Sequence, residues 1–89
     1  MKVETLAQMV ARLDDEVEGI NNVYLFTAYL PRSIAYDNIS NEIHTLAEAK
    51  GVYVGDIKWV AQDATTAKLL IGLGKTQRGY YEYYNKWSK

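Results

Sequence analysis

Apolar residues at Val3, Leu6, Val10, Leu13, Val17, Ile20 and Tyr24 recur in alternating steps of three and four, the spacing that lines one face of an α-helix. The steps form an a/d heptad seam with valine at a and leucine at d in its first half, a chemistry that favours two-stranded pairing. Self-association through Val3, Leu6, Val10, Leu13 and Val17 is the expectation. Followed to its end, the seam predicts a single helix over residues 2 to 29, stopped by Pro31. Gly19 opposes this by about 1 kcal/mol, and Asn21 and Asn22 suit a turn after a helix end. The acidic patch of Asp14, Asp15, Glu16 and Glu18 tips the balance. At the negative end of a helix that stopped at Gly19, each carboxylate would be disfavoured by about 0.3 to 1 kcal/mol unless a basic partner met it. A helix continuing past a kink at Gly19 is therefore expected. The competing assignment makes residues 23 to 30 a buried strand, which their β-branched and aromatic content permits.

Beyond Pro31, Ser33 is a candidate N-cap for a second helix with Ile39, Ile43, Leu46 and Ala47 on one face, closed by Lys50-Gly51. Asp56 then caps a third, whose Ile57, Val60, Ala64, Ala67 and Ile71 again step by three and four before Gly72 and Gly74 end it. A last helix sets Tyr80, Tyr83, Tyr84 and Trp87 on one face, with Lys86 and Lys89 in its final turn, where cations suit the helix dipole. The fold class expected is mostly α, a small bundle of four to five helices. The alternative is α+β, with the N-terminal helix and the second helix packed on a small antiparallel sheet. Its strands would fall at residues 52–54, 57–62, 67–73 and 80–87, with turns at 63–66 and 75–79, since apolar runs this short are ambiguous. Either way residues 1–89 form a single compact domain.

Composition bounds the function. In a chain of 89 residues, 48% hydrophobic and free of cysteine, there is room for one modest core, and neither disulfides nor thiolate metal sites can support it. The N-terminus lacks the apolar run of a signal peptide, and the apolar stretches at residues 23–30 and 69–73 are too short to cross a bilayer. A cytoplasmic protein with no membrane contact is expected. Net charge of −1 argues against simple electrostatic binding to nucleic acid. Charge is unevenly distributed, however: residues 1–22 carry a net −3 and residues 68–89 a net +4, which predicts that the two ends pack side by side.

One stretch carries a motif. In Leu46-Ala47-Glu48-Ala49-Lys50-Gly51-Val52-Tyr53-Val54-Gly55-Asp56-Ile57-Lys58-Trp59-Val60, Ala47 offers the small residue that a close helix crossing needs, Gly51 the turn, and Val52, Ile57 and Val60 the apolar positions that hold a second helix. This resembles the helix-turn-helix of phage repressors of the lambda Cro type. The resemblance implies DNA contacts from Tyr53, Lys58 and Trp59. It departs from the family at Lys50, where an apolar residue is usual, and at Val54, Gly55 and Asp56, where base-reading polar residues normally stand. Gly72-Leu73-Gly74-Lys75-Thr76 looks like the end of a phosphate-binding loop, but Leu69 replaces its first glycine. Asn38-Ile39-Ser40 matches a glycosylation sequon. His44 is the single histidine, so a two-histidine metal site is excluded, and Glu48 four residues on is a simple helix-surface partner.

The C-terminal segment is the compositional outlier. Arg78, Tyr80, Tyr81, Tyr83, Tyr84 and Trp87 are the residue types that dominate interface hot spots, and one helix face cannot bury all five aromatics. They are the candidate partner-binding residues. The function expected is a non-catalytic protein-interaction module, an adaptor, inhibitor or mobile-element accessory protein that self-associates as a dimer. The alternative is a helix-turn-helix regulator using residues 46–60. No cofactor or metal is expected, and a protein partner is favoured over nucleic acid.

Overall fold

Thr5 opens the first helix, α1 (Leu6–Val17), as half of a capping box. Its hydroxyl accepts from the Gln8 N–H at 3.1 Å, and the Gln8 side chain accepts from the Thr5 N–H at 3.0 Å, which satisfies two otherwise orphaned donors. The structure, a computed structural model, describes residues 2–20 and 22–87, the side chain of Trp87 excepted. Asn21, Lys89 and that indole, expected in a turn, a helix end and an aromatic face, lie outside the described residues.

The helix stops at Val17 and residues 23–31 form strand β1 (Val23–Pro31), so the long helix past Gly19 does not form. Two causes act together. The carboxylates at the helix end find basic partners, Lys50 Nζ lying 2.6 Å from Glu18 and 3.0 Å from Asp14 and Arg12 3.1 Å from Glu16, which offsets the unfavourable dipole. Beyond Gly19, the run Val23-Tyr24-Leu25-Phe26-Thr27 suits a pleated surface better than a helix.

Helix α2 (Tyr36–Lys50) buries Ile39, Ile43 and Ala47. It ends as expected at Gly51, whose φ of 70° is left-handed, a conformation that only glycine adopts freely. Its N-cap is Ala35 and not Ser33, and no side chain caps it. Two strands follow, β2 (Tyr53–Ala61) and β3 (Thr66–Gly74), and then helix α3 (Gln77–Trp87). The sheet order is β1-β3-β2, with both outer strands antiparallel to β3.

The fold is therefore α+β, 44% helix and 32% strand, and not a mostly helical bundle. No helix begins at Asp56. The three-four steps through Ile57, Val60, Ala64, Ala67 and Ile71 run straight across a turn, where the Asp63 carboxylate accepts from the N–H groups of Thr65 at 3.0 Å and Thr66 at 2.9 Å. Those two backbone bonds hold the Asp63 carboxyl below its ordinary pKa, and they reverse the chain. The expected α+β alternative is right about this turn and about strand at residues 67–73, but residues 80–87 are helix.

One face of the sheet carries the core. Phe26, Ala28 and Leu30 of β1 and Leu69, Ile71 and Leu73 of β3 meet Met9, Leu13 and Val17 of α1 and Ile39 and Ile43 of α2. Leu6 and Val10 are partly buried against the same cluster. The heptad seam is thus covered by its own chain's sheet, and Val3, ahead of the helix, is 44% exposed. A dimer through α1 would require opening this core.

The N-terminal segment closes the outer edge of β1. Glu4 N–H donates to the Tyr29 carbonyl at 2.8 Å, and Arg12 donates to the Thr27 carbonyl at 2.9 Å. Arg12 also forks onto Glu4 at 2.7 and 3.1 Å and lies 4.3 Å over the Phe26 ring. Among the described residues no helix is long and apolar enough to cross a membrane.

Leu13→Ala should lower stability by about 2–5 kcal/mol and Thr5→Ala by about 1 kcal/mol, both read from urea unfolding. The bonds from Arg12 hold the Glu4 carboxyl below its usual value of 4.5. A depressed folded-state pKa gives stability that is present above the unfolded value and lost as pH falls through the folded one. The protection of amides near Glu4 and Tyr29, corrected for intrinsic exchange, should therefore fall selectively in acid below that value, and Glu4→Gln should abolish that pH-dependent loss.

Candidate functional site

Successive residues of a strand point to opposite faces, so Gly72 and Gly74 look away from the core that Ile71 and Leu73 fill. Tyr80 of α3 packs on them, which places α3 across the sheet from α1 and α2. The fit depends on missing side chains. A Cβ at Gly72 would stand 2.6 Å from the Tyr80 hydroxyl oxygen, and one at Gly74 would stand 2.8 Å from Tyr80 Cβ. At Gly55, the extra residue of a bulge between Val54 and Asp56, it would stand 2.1 Å from the ring. Gly72 and Gly74 thus end a strand and seat a ring, and they form neither a helix stop nor a phosphate loop.

Around this anchor the tyrosines cluster. The Tyr80 ring centroid lies 5.8 Å from Tyr53, 5.6 Å from Tyr81 and 6.3 Å from Tyr84, the last nearly parallel at 19°. Burial, then the nearby Asp56 charge, pushes the Tyr80 phenol up from its ordinary pKa. The Tyr53 hydroxyl bonds to that of Tyr81 at 3.1 Å, and this bond raises the Tyr53 pKa.

α3 covers only one end of this face. Beyond it, Leu25 is 66% and Val60 52% exposed. A groove of about 300 Å³ opens between helix and sheet, floored by Val23, Leu25, Leu70 and Gly72 and walled by Tyr80, Tyr83 and Tyr84, with Asp56 and Lys58 at its side. On the same face the Lys68 ammonium lies 5.9 Å from the Tyr29 ring centroid.

Of the expected partner-binding residues, Tyr80, Tyr83 and Tyr84 converge on this groove. Tyr81 turns toward Tyr53, and Arg78 is exposed 3.6 Å from Glu82. The residues expected to contact DNA do not stand on a recognition helix. Residues 53–61 are a strand, so Trp59 packs toward the core while Lys58 lines the groove, and the stretch 46–60 is a helix followed by a strand. The acidic patch does not meet the basic C-terminus. Asp14 and Glu18 pair with Lys50, and Glu16 receives Arg12 and the Tyr24 hydroxyl, all across the sheet from α3. Lys50 is correspondingly held more basic, by Glu18 first and Asp14 second.

Charge is therefore divided by the sheet. α1 and α2 carry six carboxylates against Arg12 and Lys50, whereas among the described residues on the α3 side Lys58, Lys68, Arg78 and Lys86 stand with only Asp56 and Glu82. Among the described residues no group of three or more His, Cys, Asp or Glu side chains could hold a metal ion, and His44 is exposed on α2. Leu25, Leu70 and Gly55 were not expected as site residues from sequence. Their signal is strand alternation, which becomes legible only once the strand is known. No family model matches this chain, and neither a curated protein nor a solved structure matches it.

Gly55→Ala should displace the Tyr80 ring and loosen α3 at a cost of about 1–3 kcal/mol, seen as loss of near-UV tyrosine ellipticity. Gly19→Ala, where a Cβ meets nothing within 4 Å, should stay within about 0.5 kcal/mol of the parent chain.

Proposed function

We propose that this chain is a non-catalytic protein-interaction module, of the adaptor, inhibitor or accessory kind, and that it binds its partner on the α3 side of the sheet. The observation that carries this reading is the half-covered face: Leu25 and Val60 stay exposed beside a groove of stacked tyrosines. Contiguous apolar surface rimmed by polar groups marks an interaction site, and tyrosines on a rigid helix are efficient anchors for one.

Charge and side-chain type point to the occupant. Lys58 and Lys68 border the aliphatic floor, so the partner segment that fits is acidic and aliphatic, its side chains meeting Leu25 and Leu70 and its carboxylates the two lysines. A sheet that stacks single-stranded nucleic acid presents aromatic residues on its exposed strands. Here the groove floor is leucine, valine and glycine, and the strand tyrosines of that face, Tyr29 and Tyr53, are engaged by Lys68 and by Tyr80 and Tyr81, which favours a protein segment.

Titration of the isotope-labelled chain with a disordered Glu/Leu peptide, followed by amide NMR, tests this. Shifts should concentrate at Leu25, Lys58, Lys68, Leu70 and Tyr84, and Leu25→Glu should weaken the response about tenfold, as expected for loss of a buried aliphatic contact. An equal response to a Lys/Leu peptide, a response confined to a single-stranded oligonucleotide, or no shift at about 1 mM peptide would overturn the reading.

A further inference from the structure

The two edges of the sheet are treated differently. Arg12 and the Glu4 N–H close the edge of β1 by bonding to the carbonyls of Thr27 and Tyr29. Those bonds also fix the phase of the whole sheet. Since the Tyr29 carbonyl points away from β3, Lys68, its opposite residue, turns its backbone groups toward Val60 of β2. The hairpin bond from Gln62 N–H to the Thr66 carbonyl, 2.9 Å, has the same phase. Alternation along β2 then directs the N–H and C=O groups of Ile57, Trp59 and Ala61 outward. Among the described residues no backbone group bonds to them. An unprotected edge of this kind is a template for another strand.

We propose that the edge of β2 pairs antiparallel with β2 of a second copy of this chain, about a twofold axis at Ile57. The strand is self-complementary about that point. Ile57 is the midpoint of Tyr53–Ala61, and because the bulge at Gly55 breaks the alternation on its N-terminal side, the regular pairing is centred on residues 56–58 of both copies, where the two Ile57 residues exchange both backbone bonds. Asp56 and Lys58 flank it on one sheet face, so each Asp56 falls directly opposite Lys58 of the second copy, twice over. Directly opposed unlike charges stabilise an antiparallel pair, and like charges destabilise it. Registers centred one residue to either side set Lys58 against Lys58 or Asp56 against Asp56, so the same two residues select the register. The product is a six-stranded sheet with the α3 grooves of both copies on one side. This follows from strand phase and charge placement and does not depend on what the groove binds.

Sedimentation velocity across a concentration series tests the pairing, using two exposed, charge-reversed variants that leave the core untouched. Lys58→Asp alone and Asp56→Lys alone each place like charges opposite each other at both positions and should weaken dimerisation about tenfold or more. An equimolar mixture of the two variants restores both opposite-charge pairs and should recover a mixed dimer of near-parental affinity. Single variants that dimerise like the parent, a mixture that stays monomeric, or a parent chain that is monomeric at about 1 mM would each overturn the proposal.

Discussion

Strand β3 is paired on both edges, covered along the whole of one face and at one end of the other, and the other elements take their places from it. One face carries Ala67, Leu69, Ile71 and Leu73, all buried, and needs two helices to keep water from them. The other face runs from Lys68 through Leu70 to Gly72 and Gly74, a taper from long side chain to none. α3 can approach only where the taper ends, because Tyr80 needs the space that the glycines leave. The helix therefore covers one end and leaves Leu70 open at the other. The groove is thus a consequence of how side-chain size is graded along one strand.

Charge follows the same partition. Lys50 at the end of α2 reaches across to Asp14 and Glu18 at the end of α1, joining two helix C-termini through a cation where the dipoles favour one. Exposed pairs of this kind contribute little stability. What they do is allow α1 to end at a run of carboxylates. The acidic charge is thereby confined to the helix-covered side, and the basic residues are left with the groove.

The heptad spacing of α1, the glycine stop of α2 and the tyrosine face of α3 were all legible in sequence, because each depends on contacts within a few residues. The strands were legible only as the alternative reading. In residues 53–61 and 66–74, three-four apolar steps and short alternating runs coexist, and the choice between them was made by Asp63 turning the chain and by pairing partners up to 51 residues away. The site divided in the same way. Tyr80, Tyr83 and Tyr84 stood out by composition, whereas Leu25, Leu70 and the glycine seat have no local signature.

By itself, then, the sequence marked the three helical segments that form, along with a further one at residues 57–71 that is a hairpin, and a small cysteine-free core and an aromatic C-terminus, since spacing, capping and composition act locally. The tertiary structure alone decided that the heptad face would be buried at home, that the acidic and basic ends would lie on opposite sides of a sheet, and which edge and face would stay open. Those outcomes depend on strand order and on which residues oppose one another across β3, and strand pairing joins residues too distant along the chain for any local pattern to encode.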